Sequence, residues 1–63
     1  MKIIDTDNFG GDYPDEQDIA LQIKSKFLAE LMVDALNNWQ GPQGLRFYKI
    51  VSDNYKNQPG FEP

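Results

Sequence analysis

The residues richest in chemistry fall together near the front of the chain, in Asp5-Thr6-Asp7-Asn8-Phe9-Gly10-Gly11-Asp12-Tyr13-Pro14-Asp15-Glu16. Set against the twelve-residue calcium loop, Asp5, Asp7, Gly10 and Glu16 fall on positions 1, 3, 6 and 12, where a hard cation wants oxygen ligands and the sharp turn wants glycine. Position 5 is Phe9, which has no side-chain oxygen, and Lys2-Ile3-Ile4 is too short for an entering helix. The stretch therefore reads as a turn-rich loop, and no metal is expected in it. Asp15, Glu16 and Asp18 form a carboxylate cluster of the kind that does paired acid–base work, but the pattern supplies neither a pocket nor a base to pair with them.

What is missing restricts the chemistry further. The chain has 63 residues, with no histidine and no cysteine. That removes Ser-His and Cys-His nucleophiles, structural zinc and any disulfide. Acid–base catalysis would fall to carboxylates, Lys or Tyr, on a scaffold with little mass to hold them in place. The reading is a protein that is not an enzyme and carries no cofactor.

Charge points to a partner instead. The net charge is −4, and residues 1–18 hold six acids and one base while residues 19–63 hold four acids and five bases. An acidic end argues against direct nucleic-acid binding, which needs a basic patch. It suits a basic protein surface, including one that normally receives nucleic acid. Asp12, Asp15, Glu16 and Asp18 are the residues expected to supply that complementarity, with Tyr13 as a neighbouring anchor. The same acids also serve simply to solvate a loop.

These residues need elements to position them. Lys2-Ile3-Ile4-Asp5 reads as a short strand. Thr6 to Pro14 is loop, with Phe9 and Tyr13 expected to fold back over the core. Asp15 to Lys24 is ambiguous. At period 2, Ile19, Leu21 and Ile23 alternate with Ala20, Gln22 and Lys24 as in a strand; at period 3.6, Ala20, Ile23, Phe27 and Leu31 align as in one long helix. The strand is preferred, because Ser25 looks like a fresh helix start.

Ser25 to Asn38 is the organising stretch. Phe27, Leu28, Leu31, Met32, Ala35 and Leu36 make one apolar stripe at helical period. Ser25 is the expected N-cap, and Asn37-Asn38 followed by Gly41-Pro42 is the expected stop. The stripe is expected to lie on a sheet, with Trp39 as the lid of the core. Leu45 to Ser52 is the clearest strand. Leu45, Phe47, Lys49 and Val51 are expected to meet the helix, leaving Arg46, Tyr48 and Ile50 on the far face, where Arg and Tyr would be exposed interface residues. From about residue 53 the chain reads as an irregular tail, anchored by Tyr55 and Phe61.

The fold class that follows is α+β: a small two- or three-stranded sheet with one amphipathic helix packed on one face. The order β-β-α-β is preferred and β-α-β is the alternative. Residues 1–63 form a single small domain, and its open sheet edges need covering or invite a partner strand. No run approaches a membrane span, and Asp5 interrupts the apolar start a signal peptide would continue. A cysteine-free chain of this kind suits the cytoplasm.

Several segments together resemble a group of small acidic proteins encoded by bacteriophages and prophages. They are Asp5 to Glu16, the helix ending in Ala35-Leu36-Asn37, then Phe47-Tyr48-Lys49-Ile50-Val51 with Asp53 and Tyr55, and Pro59-Gly60-Phe61-Glu62-Pro63. The likeness covers most of the chain and brings no catalytic residues with it. Small acidic phage proteins include anti-CRISPR and anti-restriction inhibitors, which occupy a host complex at a basic surface. The resemblance therefore implies an anti-defence role in the host bacterial cytoplasm, as a monomer or homodimer. The alternative is a structural or accessory phage protein that self-assembles through its sheet edge.

Overall fold

A computed structural model describes residues 1–10 and 13–60. The order is β1 (Lys2–Asp7), β2 (Gln17–Ala20), α1 (Lys26–Gln40) and β3 (Arg46–Val51). This is the β-β-α-β arrangement, and Asp15 to Lys24 contains a strand instead of extending the helix. The sheet is antiparallel with order β2-β1-β3. The β-branched pair Ile3 and Ile4 sits in the central strand, and both side chains are fully buried, one on each side of the sheet. A register shift in the β1–β2 pairing falls between them.

Local chemistry fixes the helix ends. The Ser25 hydroxyl accepts from the Leu28 N–H at 3.2 Å, which satisfies one of the orphan donors of the first turn. At the other end Gly41 takes φ 76°, a left-handed exit that glycine makes without strain. Its N–H returns to the Asn37 carbonyl at 2.8 Å. The helix runs through Trp39 to Gln40, two residues past the Asn37-Asn38 pair.

The faces are the reverse of what the patterns suggest. In the antiparallel register Ile3 stands beside Ile50 and Asp5 beside Tyr48, and paired residues share a face. Ile3, Tyr48 and Ile50 meet α1, through Ala29 with Val33 and Leu36. The expected set Leu45, Phe47, Lys49 and Val51 is therefore not the helix-facing set. Leu45 is exposed beyond the strand, and Phe47 and Lys49 turn to the other side of the sheet. Of the expected helical stripe, only Leu36 packs on the core; Phe27, Leu28, Leu31 and Met32 point outward. Val33 and Ala29 are small enough to let the helix backbone settle close to the sheet.

The side of the sheet away from α1 is covered by the tail. Residues 53–60 have no helix or strand, yet they are tied down along their length. The Glu16 N–H donates to the Gln58 carbonyl at 2.9 Å and the Asp15 N–H to the Pro59 carbonyl at 3.3 Å. Tyr55 is the anchor it was expected to be, whereas Phe61 lies outside the described residues. A Cβ at Gly60 would stand 3.0 Å from the Asp15 side chain, so a larger residue there would have to displace that carboxylate slightly.

One sheet edge is plugged. The Asn37 side-chain amide donates to the Tyr48 carbonyl at 2.9 Å and accepts from the Tyr48 N–H at 2.8 Å. A side chain thus makes the two bonds that a neighbouring strand would make, at the middle of the outer edge of β3. That blunts the edge for pairing with another chain.

Candidate protein-binding surface

The acids picked from the sequence do not form one open face. Asp12 lies outside the described residues. Tyr13 is exposed rather than folded over the core, as is Phe9. Asp15 is exposed, at φ 49°, and its carboxylate accepts from the Gln17 side chain at 2.9 Å. Asp18 is exposed, but its carboxylate is held by Lys2 at 2.9 Å and by Asn57 at 2.9 Å. Lys2 itself is buried, and its ammonium also donates to the Asn57 side chain.

Glu16 is turned inward. Its side chain is only 3% exposed. One oxygen accepts from the Tyr55 hydroxyl at 2.6 Å and from the Gln58 N–H at 2.8 Å; the other lies 3.6 Å from the Lys49 ammonium. Burial pushes this carboxyl up, but the bonds from Tyr55, Gln58 and Thr6 and the charge of Lys49 outweigh it, and Glu16 sits below its ordinary value. Asp18 is also lowered, by its bonds from Asn57 and Lys2 against a smaller effect of burial. The Tyr55 phenol is raised, first by its bond to Glu16, then by burial and by the Glu16 charge. Lys49 also lies over the Tyr55 ring, 5.4 Å from its centre. These groups hold the tail to the sheet.

The calcium-loop positions are scattered in the same way. Asp5 pairs with Arg46 at 2.7 Å, Asp7 accepts from the Phe9 N–H at 3.1 Å, and Glu16 is in the tail contact. Among the described residues no three acids gather around a point that could hold a metal. Arg46, expected to be exposed, instead bonds Asp5 and the Pro14 and Asp15 carbonyls. Tyr48 is 93% covered, under α1. The depressions among the described residues include one lined by Met1, Gln22, Ile23, Lys24 and Asp53 and another lined by Lys2, Asp18, Leu21, Gln22 and Asp53. Neither is lined by a Ser, Thr or Tyr hydroxyl that a carboxylate could activate.

The surface that stands out is the outer side of α1. Phe27 is 69% exposed and Trp39 75%, with Leu28, Leu31 and Met32 between them at 40–55%. Trp39 is not a lid over the core. At 100° per residue Phe27, Leu31, Ala35, Leu28, Trp39 and Met32 span about 140° of the helix; the arc also takes in the uncharged Asn38 and no charged residue. The charged residues Lys26, Glu30 and Asp34 all lie to one side of it. The other exposed large apolar residues, among them Ile19, Leu21 and Phe47, sit on β2, the loops and β3. The signal for this surface is in the sequence: Ala29, Val33 and Leu36 are apolar too, so apolar residues reach over about 240° of α1, well beyond the stripe of roughly 100° that one packed face needs.

No helix among the described residues is long and apolar enough to cross a membrane. Comparison of the chain with protein-family models, with curated proteins and with solved structures gives no match in any of the three.

Proposed function

We propose that this chain is a protein-binding module, an inhibitor or modulator that works by covering a surface and does no chemistry. The observation that carries the reading is the outer face of α1: a broad, uncharged, apolar surface on a chain with few residues to spare for ornament. In its narrower form the partner is a host complex of an anti-viral defence system, met at a basic surface in the bacterial cytoplasm. That form draws on small size, acidity and the phage-protein resemblance. For the acidic contact the geometry leaves Asp15 and Asp18 at the surface and withdraws Glu16.

The reading of assembly through the β3 edge loses support, because the Asn37 amide occupies its middle; the outer edge of β2 remains the edge that such assembly would use. The test compares capture from bacterial lysate, with nuclease treatment, by the wild-type chain, by Leu31→Lys and by a variant with Asp15 and Asp18 both changed to Lys. A specific partner lost only with Leu31→Lys assigns binding to the helix. One lost only with the double Asp variant assigns it to the acids. Equal recovery by all three overturns the reading.

A further inference from the structure

We infer that the outer face of α1 is the interface with a second copy of this chain. The inference rests on reading that face as a binding surface, and it names the occupant.

Three features single out a second copy. The first is area. The five large side chains of the face expose on the order of 600 Å² between them, so a pair would bury roughly 1,200 Å², the lower end for a specific stable interface. The second is charge. A chain of net charge −4 repels its own copies, yet this face carries none of that charge, so the like charges that the contact brings near each other stand only at its flank. An uncharged face also offers nothing to select a basic partner.

The third is the pattern along the helix. Phe27, Leu31, Ala35 and Trp39 form a ridge at four-residue spacing. Two such ridges packed antiparallel about a two-fold axis level with residue 33 bring Phe27 against the other copy's Trp39, and Leu31 against its Ala35. Aromatic meets aromatic at both ends, and large meets small in the middle. A two-fold interface must be complementary to itself in this way, with one residue meeting a second and the second meeting the first. Glu30 and Asp34 flank the ridge, so in this pairing they lie beside their own counterparts, outside the apolar contact.

The test is sedimentation equilibrium from about 1 to 500 µM, a range that covers micromolar association of an interface this size. The wild-type chain is expected to double its 7.2 kDa mass by about 100 µM. Association should hold or tighten between about 0.1 and 1 M salt, as the Debye length falls from about 10 to 3 Å and the flanking acids are screened. Leu31→Lys should be monomeric throughout, with an unchanged circular dichroism spectrum.

Because the chain has no cysteine, a mixture of Leu31→Cys and Ala35→Cys should oxidise preferentially to the mixed disulfide, while Lys56→Cys should not cross-link. A wild-type chain still monomeric at 500 µM overturns the inference, as does a dimer that survives Leu31→Lys. If the chain is monomeric but loses a specific partner with Leu31→Lys, the binding-module reading stands and only the occupant was wrong. If it is monomeric and Leu31→Lys changes no capture, both fall.

Discussion

The two outer sides of this molecule are treated in opposite ways. The sheet side under residues 53–60 mixes charges with Ile4, Phe47 and Val51, and its charges are partnered from within: Glu16 by Tyr55, Gln58 and Lys49, and Lys2 by Asp18 and Asn57. The outer side of α1 is apolar, and no described residue covers it. A chain this short can lay one strip of backbone over one side. It covers the side where bare groups would cost most, since a buried charge without a partner is worse than an apolar side chain left in water. The apolar side is the one that another molecule can cover later.

The sharpest way to break this comparison is at Glu16. Glu16→Ala should cost about 2 kcal/mol, because the Tyr55 hydroxyl, the Gln58 N–H and Lys49 all lose an acceptor at once. For a domain of this size that lowers Tm by roughly 8–16 °C. Thermal unfolding checks it, and a drop within 2 °C would mean that the tail does not contribute to the fold. The same contact predicts a two-sided pH profile. Glu16 and Asp18 titrate lower in the folded chain than when free. Their contribution is therefore present above the ordinary carboxylate range and lost as pH falls through it. Tyr55 titrates higher in the folded chain, so its contribution is present below about pH 10 and lost as pH rises beyond that. Unfolding followed from pH 3 to 11 should show both limbs, and Glu16→Gln should make the acid limb shallower while leaving the part due to Asp18.

Asn37→Ala should have the next largest effect. It leaves the Tyr48 N–H and carbonyl without partners at a partly buried edge, for about 1–2 kcal/mol, reduced slightly by alanine's better helix propensity. It also reopens the edge. Light scattering on the variant should rise with concentration in a way that Leu31→Lys does not suppress, because this association runs through strands. If scattering stays at the wild-type level, the amide is not what guards the edge.

The elements themselves were legible in the sequence. Ser25 caps the helix, Gly41 ends it, and strands form within residues 15–24 and 45–52, because these signals act through the backbone of their own neighbours. The bounds differ, since β2 stops at Ala20 and leaves Leu21 and Ile23 of the expected alternation beyond it, and β1 runs on through Thr6 and Asp7. The orientation of the elements was not legible. In β3 both alternating sets carry large apolar residues, Phe47 and Val51 on one side and Tyr48 and Ile50 on the other, so period 2 cannot say which set meets the helix. In α1 the stripe with the larger side chains looked like the buried one, yet Ala29 and Val33 face the sheet, where close approach matters more than bulk. Glu16 looked like a surface acid beside Pro14; the groups that draw it inward, Tyr55 and Gln58, lie about forty residues away, and no local pattern links them.

The smallest expected effect sharpens the comparison most. Val33→Ala removes a side chain packed between α1 and the sheet and should cost about 1 kcal/mol at any protein concentration. Leu31→Ala removes a larger side chain from the outer face, where Leu31 is 51% exposed. In dilute solution it should change stability by no more than about 0.5 kcal/mol. At concentrations where copies associate, its cost should grow, because mass action then adds the lost association to the unfolding free energy. Chemical denaturation of both variants at about 1 and 200 µM separates the cases, since only an intermolecular contact depends on concentration. A Leu31→Ala cost that equals the Val33→Ala cost at both concentrations would place Leu31 inside the fold of a single chain, and the contrast between a covered side and a bare one would no longer hold.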